Sequence, residues 1–143
     1  MNKAEAVALL KQEACTLLLY NEEEVIRSHE RGVAPLLSLL DSGKDVRAMR
    51  AVDKVVGRAA AFLYVALGIA ELHAVTISDS ALEILSACSI SVSYEVLVPR
   101  ILNRAGDGYC PMESAVLCVT EVAAAIKKIR ETRKALSENK NIS

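Results

Sequence analysis

Residues 48–96 read AMRAVDKVVGRAAAFLYVALGIAELHAVTISDSALEILSACSISVSYEV and alternate between strand-like and helix-like segments. Strands are predicted at 48–52, 72–77 and 91–96, and helices at 55–67 and 79–87. A strand–helix–strand connection of this length joins parallel strands by a right-handed crossover, with the helix lying on the sheet. This passage therefore predicts an α/β domain.

The segments on either side extend the same domain. Apolar spacing predicts a helix at 4–13, a β-hairpin from strands at 15–20 and 25–29, and a helix at 34–40. Two more helices are predicted after Pro111, the second at 121–136. With 143 residues the chain is long enough for one domain with a real core. We expect a single domain over residues 1–138 and a polar C-terminal tail at 139–143 that frays.

Composition narrows the choice of partners. Seventeen basic and eighteen acidic residues give a net charge of −1, which offers no strong attraction for nucleic acid or an anionic membrane. The longest uninterrupted apolar run, at 59–67, is too short to span a bilayer, and charged residues interrupt the N-terminal segment where a signal peptide would lie. We therefore expect a cytoplasmic protein with a small-molecule ligand, without nucleic-acid or membrane partners. A homo-oligomeric state stays open.

Ligands of α/β sheets bind at the carboxyl ends of the strands. Asp53 follows the predicted strand at 48–52, and Ser78 and Asp79 follow the strand at 72–77. The third such segment is a polar loop and helix start, NRAGDGYCPMES, at 103–114. We expect these three segments to converge on one site.

The loop at 103–114 has its own signals. Gly106 and Gly108 permit a turn with positive φ, and a backbone nest for a phosphate is one interpretation of this loop. Pro111 predicts a helix start, with Cys110 as its N-cap and Glu113 as the reciprocal half of a capping box. A helix start beside a basic residue favours a reactive thiolate. We expect Cys110 to be the accessible thiol, and Cys15, Cys88 and Cys118 to lie in the apolar interior.

Several segments together resemble a known family. They are RGVAPLL (31–37), VDKVVGRAAA (52–61), NR (103–104) and CPME (110–113). Over nearly the whole chain they resemble an uncharacterised family of small prokaryotic domains that is grouped with the cytidine-deaminase-like fold. The resemblance implies a three-layer α-β-α sandwich around a mixed five-stranded sheet. The family brings no established reaction.

Zinc deaminases carry H-x-E followed by P-C-x-x-C, which supplies three zinc ligands and a general acid/base. Asp53 stands here at the first ligand position, and Val55 replaces the catalytic Glu. The second motif would fall at 78–81, which has no cysteine, and Cys110 comes too late in the chain. A catalytic zinc needs three protein ligands. We therefore expect no bound zinc, and we assign no metal ligands and no cofactor; binding of a metal other than zinc stays open.

Three residues are candidates for catalysis: Asp53, Lys54 and Cys110. Asp53 has the alternative role of helix cap. Lys54, in the first turn of the predicted helix, could bind an anion or act as a base or Schiff-base nucleophile, and its alternative is a solvated lysine paired with an acid such as Asp53. The candidates for ligand binding, whose alternatives are turns and caps, are Arg31, Gly32, Ser78, Asp79, Asn103, Arg104, Gly108 and Glu113.

The sequence leaves three functions open. The first is a zinc-independent enzyme that acts on a nucleotide-like or other small anionic metabolite. The second is a non-catalytic binding module that retains the pocket, and the third is a carrier or accessory protein that uses Cys110. Fold analogy does not choose among them. All three lead to one geometric expectation, that one cleft is lined by Asp53, Lys54, Asn103, Arg104 and Cys110.

Overall fold

The computed structural model describes residues 1–103, 105–106, 108 and 110–142, and for 139–142 it describes the backbone alone. The helices and strands of these residues are α1 (Lys3–Gln12), β1 (Leu17–Tyr20), β2 (Val25–Ser28), α2 (Ala34–Ser42), β3 (Arg50–Val56), α3 (Arg58–Leu67), β4 (Glu71–Ser78), α4 (Asp79–Ala87), β5 (Ser91–Val98), α5 (Pro111–Ala115) and α6 (Val122–Ile142). This order confirms the predicted α/β class and the hairpin of the first two strands.

The five strands form one mixed sheet in the order β2-β1-β3-β4-β5. β1 pairs antiparallel with both β2 and β3, whereas β3, β4 and β5 run parallel. Because β1 is antiparallel to β3, its first residues lie at the carboxyl end of β3, where Leu17 is paired with Asp53. The start of β1, the end of β2 and the end of β3 therefore meet at one edge of the sheet.

Apolar clusters cover both faces of the sheet. On one face Leu18, Tyr20 and Val52 pack with Ala6 and Leu10 of α1. The larger cluster on the other face joins alternate residues of the same strands to α2, α3, α4 and α6. The arrangement is consistent with a helix–sheet–helix sandwich, in which α1 forms the helical layer on the first face.

The boundary between β3 and α3 differs from the prediction. β3 continues to Val56 instead of ending at Val52, and α3 begins at Arg58. Two adjacent valines favour an extended backbone, and Gly57 keeps that backbone extended (φ −102°, ψ −174°) before the helix starts. Asp53 and Lys54 therefore lie within a strand. The predictions that Asp53 caps a helix and that Lys54 lies in a first helical turn were wrong.

The C-terminal part also differs in its bounds. A helix begins at Pro111 as predicted, but it ends at Ala115, and α6 continues past the predicted end at residue 136 to Ile142. The backbone of 139–142 thus belongs to α6, and Ser143, the last residue of the predicted tail, lies outside the described residues. In the part of the chain described here, no helix has the length and apolar character that crossing a bilayer requires.

Candidate functional site

A cleft of about 670 Å³ opens at the edge of the sheet where β1 starts and β2 and β3 end. The starts of α2 and α5 form its other walls. Six of the residues predicted for a site line it: Arg31, Gly32, Asp53, Lys54, Asn103 and Cys110. The structure therefore brings residues from three separate segments of the chain to one cleft. Their roles in binding or catalysis stay predictions.

The other predicted residues fall elsewhere. Ser78 is buried and caps α4, because its hydroxyl accepts a hydrogen bond from the Ala81 N–H at 3.2 Å. Asp79 is exposed on the first turn of α4, and neither residue lines the cleft. The Gly108 carbonyl accepts the Asn103 N–H at 2.8 Å and so closes the loop on itself. Arg104 lies outside the described residues.

Glu113 caps a different helix from the predicted one. The predicted capping box with Cys110 was wrong, since the Cys110 side chain makes no capping hydrogen bond at the start of α5. The Glu113 carboxylate instead accepts hydrogen bonds from the N–H groups of Arg58 (2.6 Å) and Ala59 (2.9 Å) at the start of α3. Gly57 precedes α3 and has no side chain with which to cap it. A buried acid from α5 therefore satisfies these donors and complements the helix dipole.

Arg58 stabilises the same region, in which α5 packs against the start of α3. Its guanidinium donates to the Val116 carbonyl (2.8 Å), to the Ser80 hydroxyl (2.6 Å) and to the Val119 carbonyl. It also lies 5.2 Å from the centre of the Phe62 ring. These contacts tie the segment that joins α5 and α6 to the starts of α3 and α4. Arg58 is thus a half-buried structural residue, and its partners come from segments far away in the chain.

Asp53 lies at the base of the cleft with only 8% of its surface exposed. The Tyr64 hydroxyl on α3 donates to its Oδ2 at 2.5 Å, and the Val55 N–H donates to its Oδ1 at 3.2 Å. Burial raises the pKa of Asp53 to about 7, although both hydrogen bonds act in the opposite direction. At neutral pH this carboxyl is therefore close to half protonated.

Tyr64 was not identified from the sequence. It is fully buried, and burial together with the negative charge of Asp53 raises the pKa of its hydroxyl well above the usual value. The sequence does contain an indication of its role: Tyr64 lies in an otherwise apolar predicted helix, and a buried tyrosine hydroxyl needs a hydrogen-bond partner. The sequence could not show that the partner is Asp53.

The cations of the cleft are exposed. Lys54 and Arg31 make no salt bridge with any described acidic residue. The predicted alternative of a Lys54–Asp53 ion pair is therefore not what the structure shows. The cleft combines a buried acid that is about half protonated at neutral pH with two exposed positive charges that have no salt-bridge partner among the described residues.

The cysteines divide differently from the prediction. Cys15 is buried, as predicted, and Cys110 is half-buried in the wall of the cleft. Cys88 and Cys118 are exposed, so their predicted places in the interior were wrong. Cys88 follows the last turn of α4, and Cys118 lies in the connection between α5 and α6, where the chain runs along the surface.

Alkylation tests the accessibility of Cys110. In a Cys88→Ser/Cys118→Ser variant we expect iodoacetamide to label Cys110 well before Cys15, of which 2% is exposed. Brief alkylation of the folded protein followed by peptide mass spectrometry measures both rates, and the unfolded protein provides the reference at which the rates converge. Equal rates in the folded protein would show that Cys110 is closed off from the cleft.

The donor set at the cleft does not suit zinc. In the described parts of the chain, no three His, Cys, Asp or Glu side chains approach closely enough to hold a metal ion. Asp53 is hydrogen-bonded to Tyr64 and Val55, and Val55 itself offers no ligand atom. The residues present therefore do not fit the three-ligand zinc site of the deaminases.

The fold and the cleft define a small α/β domain whose pocket, near the carboxyl end of β3, contains the ionisable side chain of Asp53. Residues 5–132 match the family model TM1506, described as a domain of unknown function (DUF1893). The chain belongs to this family. It is similar to a crystal structure of a DUF1893 family protein (TM1506) from Thermotoga maritima, with 25% sequence identity, a TM-score of 0.82, and coverage of 94% of this chain and 92% of that one. No curated protein matches the chain.

Proposed function

We propose that the protein is a zinc-independent enzyme that binds a small anionic metabolite in the cleft and uses Asp53 as a general acid/base. The observation that carries this proposal is the raised pKa of Asp53, about 7, at the base of a cleft. General acid–base catalysis is most effective when the pKa of the group lies near the working pH. A strongly perturbed acid in a cleft is a functional candidate for the same reason.

The surroundings of Asp53 fit a proton-transfer role. Its low exposure keeps bulk water away from the carboxyl, while its place in the lining leaves it open to a ligand. Tyr64 donates to one oxygen and so fixes the orientation of the group. Each carboxylate oxygen keeps further acceptor capacity beyond the hydrogen bonds it already has. Tyr64 is therefore a positioning residue in this proposal.

The charge at the rim favours an anionic ligand. Lys54 and Arg31 are exposed at the cleft and lack acidic partners among the described residues. Unpaired cations around a concave surface attract anions and raise their local concentration. The ligand would thus be held by its negative charge and positioned next to a group that can give or take a proton.

The finer fold assignment belongs to the same proposal. The mixed five-stranded sheet between helical layers is the arrangement that the resemblance to the cytidine-deaminase-like fold implies, and it supports that assignment. Cys15, Cys88, Cys110 and Cys118 are all free, which supports a reducing, cytoplasmic location.

A non-catalytic binding module is the second candidate. Both oxygens of Asp53 already accept hydrogen bonds from the protein's own groups, an arrangement that a purely structural buried acid also shows. Cys110 in the cleft wall keeps the carrier function as a third candidate.

The test compares binding with turnover. We expect members of a nucleotide and phosphorylated-metabolite panel to raise the melting temperature of the wild type by mass action. Asp53→Asn should still bind the stabilising compound but should lose its conversion, followed by product analysis. Tyr64→Phe removes a hydrogen bond that lowers the pKa of Asp53, so its activity profile should move to higher pH.

Two outcomes would contradict the proposal. Full turnover by Asp53→Asn would exclude proton transfer by this carboxyl. If the wild type binds a compound but does not convert it at any pH between 5 and 9, the protein is a binding module and not an enzyme.

A further inference from the structure

A second groove of about 750 Å³ lies beside the cleft, between the start of α2 and the facing side of α6. Arg31 and Gly32 line both the groove and the cleft. The two spaces are therefore neighbours that share a wall, and one ligand could extend from one into the other.

The groove carries an excess of positive charge. Arg31, Arg133 and Lys134 line it, are exposed, and make no salt bridge with a described acidic residue. Arg130 also lines it but pairs with Asp41 through two hydrogen bonds of 2.7 and 3.2 Å. Among the described residues of the lining, Glu138 is the one acidic residue. Three cations against one acid leave a net positive surface.

The start of α2 adds hydrogen-bond donors at the same place. Val33 precedes the helix and provides no side-chain cap; Pro35 in the first turn has no N–H, so Ala34, which lines the groove, provides the helix's first backbone donor there. The first N–H groups of a helix have no partner within it, and they carry the positive end of the helix dipole. Gly32 turns the chain into this helix with φ +69° and would place no side chain against a ligand here. Backbone donors and cationic side chains thus border one groove.

We infer that this groove binds the phosphate group of the ligand whose remaining part occupies the cleft at Asp53. The inference rests on the proposed function, because it makes the anionic metabolite a phosphorylated one. A phosphate dianion matches the charge of several cations, and arginine forks together with backbone N–H groups bind its oxygens with good geometry. Arg31, shared by the two spaces, would contact the ligand where it passes from the groove to the cleft.

Calorimetric titration tests the inference with four probes: inorganic phosphate, pyrophosphate, ribose 5-phosphate and ribose. We expect ribose 5-phosphate to bind more tightly than inorganic phosphate, and ribose alone not to bind. Arg133→Gln/Lys134→Gln should weaken phosphate binding by about tenfold or more, given the strength of hydrogen bonds to charged groups. A high salt concentration should also weaken phosphate binding by the wild type, because salt screens the attraction between the cations and the phosphate.

The matched control is Lys127→Gln/Lys128→Gln, which removes the same charge from the same helix outside the groove. This control should bind phosphate like the wild type. Equal losses in both double variants would show that net charge alone attracts phosphate, and this would overturn the inference. Failure of the wild type to bind phosphate, or equal affinity for ribose 5-phosphate and inorganic phosphate, would also overturn it.

Asp53→Asn separates this inference from the proposed function. It should bind inorganic phosphate like the wild type, since Asp53 lines the cleft and not the groove. If Asp53→Asn binds phosphate and also keeps full turnover, the catalytic proposal fails while the phosphate site stands. If Asp53→Asn loses phosphate binding, the phosphate is not in the groove and the inference is wrong.

Discussion

Gly57→Ala is expected to lower the free energy of unfolding by about 2–4 kcal/mol, a large loss for a single methyl group. A Cβ at this position would lie 2.2 Å from Oε1 of Glu113 and 2.6 Å from its Cδ. The carboxylate cannot move aside cheaply, because it is buried and accepts two N–H groups at the start of α3. Its displacement leaves those donors and a charged group without partners. The backbone of Gly57 itself would tolerate alanine, since its φ is −102°.

Urea unfolding of a double-mutant cycle identifies the cause. Glu113→Ala removes both the cap and the clash, so Gly57→Ala/Glu113→Ala should be about as stable as Glu113→Ala alone. Gly108→Ala is the matched control, because a Cβ there would meet its nearest atom, Nδ2 of Asn103, at an ordinary 3.6 Å. Two results would show that Glu113 does not exclude a side chain at residue 57. One is that the stability losses of the two single variants are additive in the double variant. The other is that Gly57→Ala loses no more stability than Gly108→Ala.

The contact between Glu113 and the start of α3 could not be predicted from the sequence. The alternation of strands and helices between residues 48 and 96 was enough to predict a parallel sheet, because each step depends on neighbouring residues. The cap on α3 depends on Glu113, which is 55 residues away from Arg58 in the chain. The local pattern of Cys110, Pro111 and Glu113 instead predicted a capping box, which tertiary packing overrides.

The candidate site was predictable in its place and not in its chemistry. Asp53 and Cys110 could be assigned to one edge because strand ends and helix starts meet there in α/β sheets. The pKa of Asp53 could not be predicted, since it depends on burial beneath α3 and on Tyr64. The misplaced end of β3 had the same origin, because Val55 and Val56 fit either a helix or a strand until their pairing with β4 is known.

The raised pKa of Asp53 also makes stability depend on pH. The folded state holds this proton with a pKa of about 7, against about 3.9 in an unfolded chain. Its stabilising contribution is therefore complete below about pH 4, declines as the pH rises through 7, and is absent above that. A shift of about three units corresponds to about 4 kcal/mol. Asp53→Asn keeps a neutral group of similar shape that does not titrate.

We therefore expect the wild type to lose about 3 kcal/mol relative to Asp53→Asn between pH 4.5 and pH 8, because the unfolded carboxyl is already mostly ionised at pH 4.5. Urea unfolding of both proteins across this range measures the difference, in which the titration of all other groups cancels. Asp45→Asn is the control: Arg47 holds the pKa of Asp45 to about 2, so the difference between wild type and this variant should stay flat over the same range.

Tyr64→Phe provides the second arm of the same experiment. Loss of its hydrogen bond removes a contact that favours the carboxylate, so the pKa of Asp53 rises further and the decline in stability extends to higher pH. Parallel pH profiles for wild type and Asp53→Asn would mean that Asp53 titrates like an exposed acid. That result would also remove the physical basis for assigning it a general-acid role, because a carboxyl ionised throughout the neutral range has no proton to donate and is left only as a weak base.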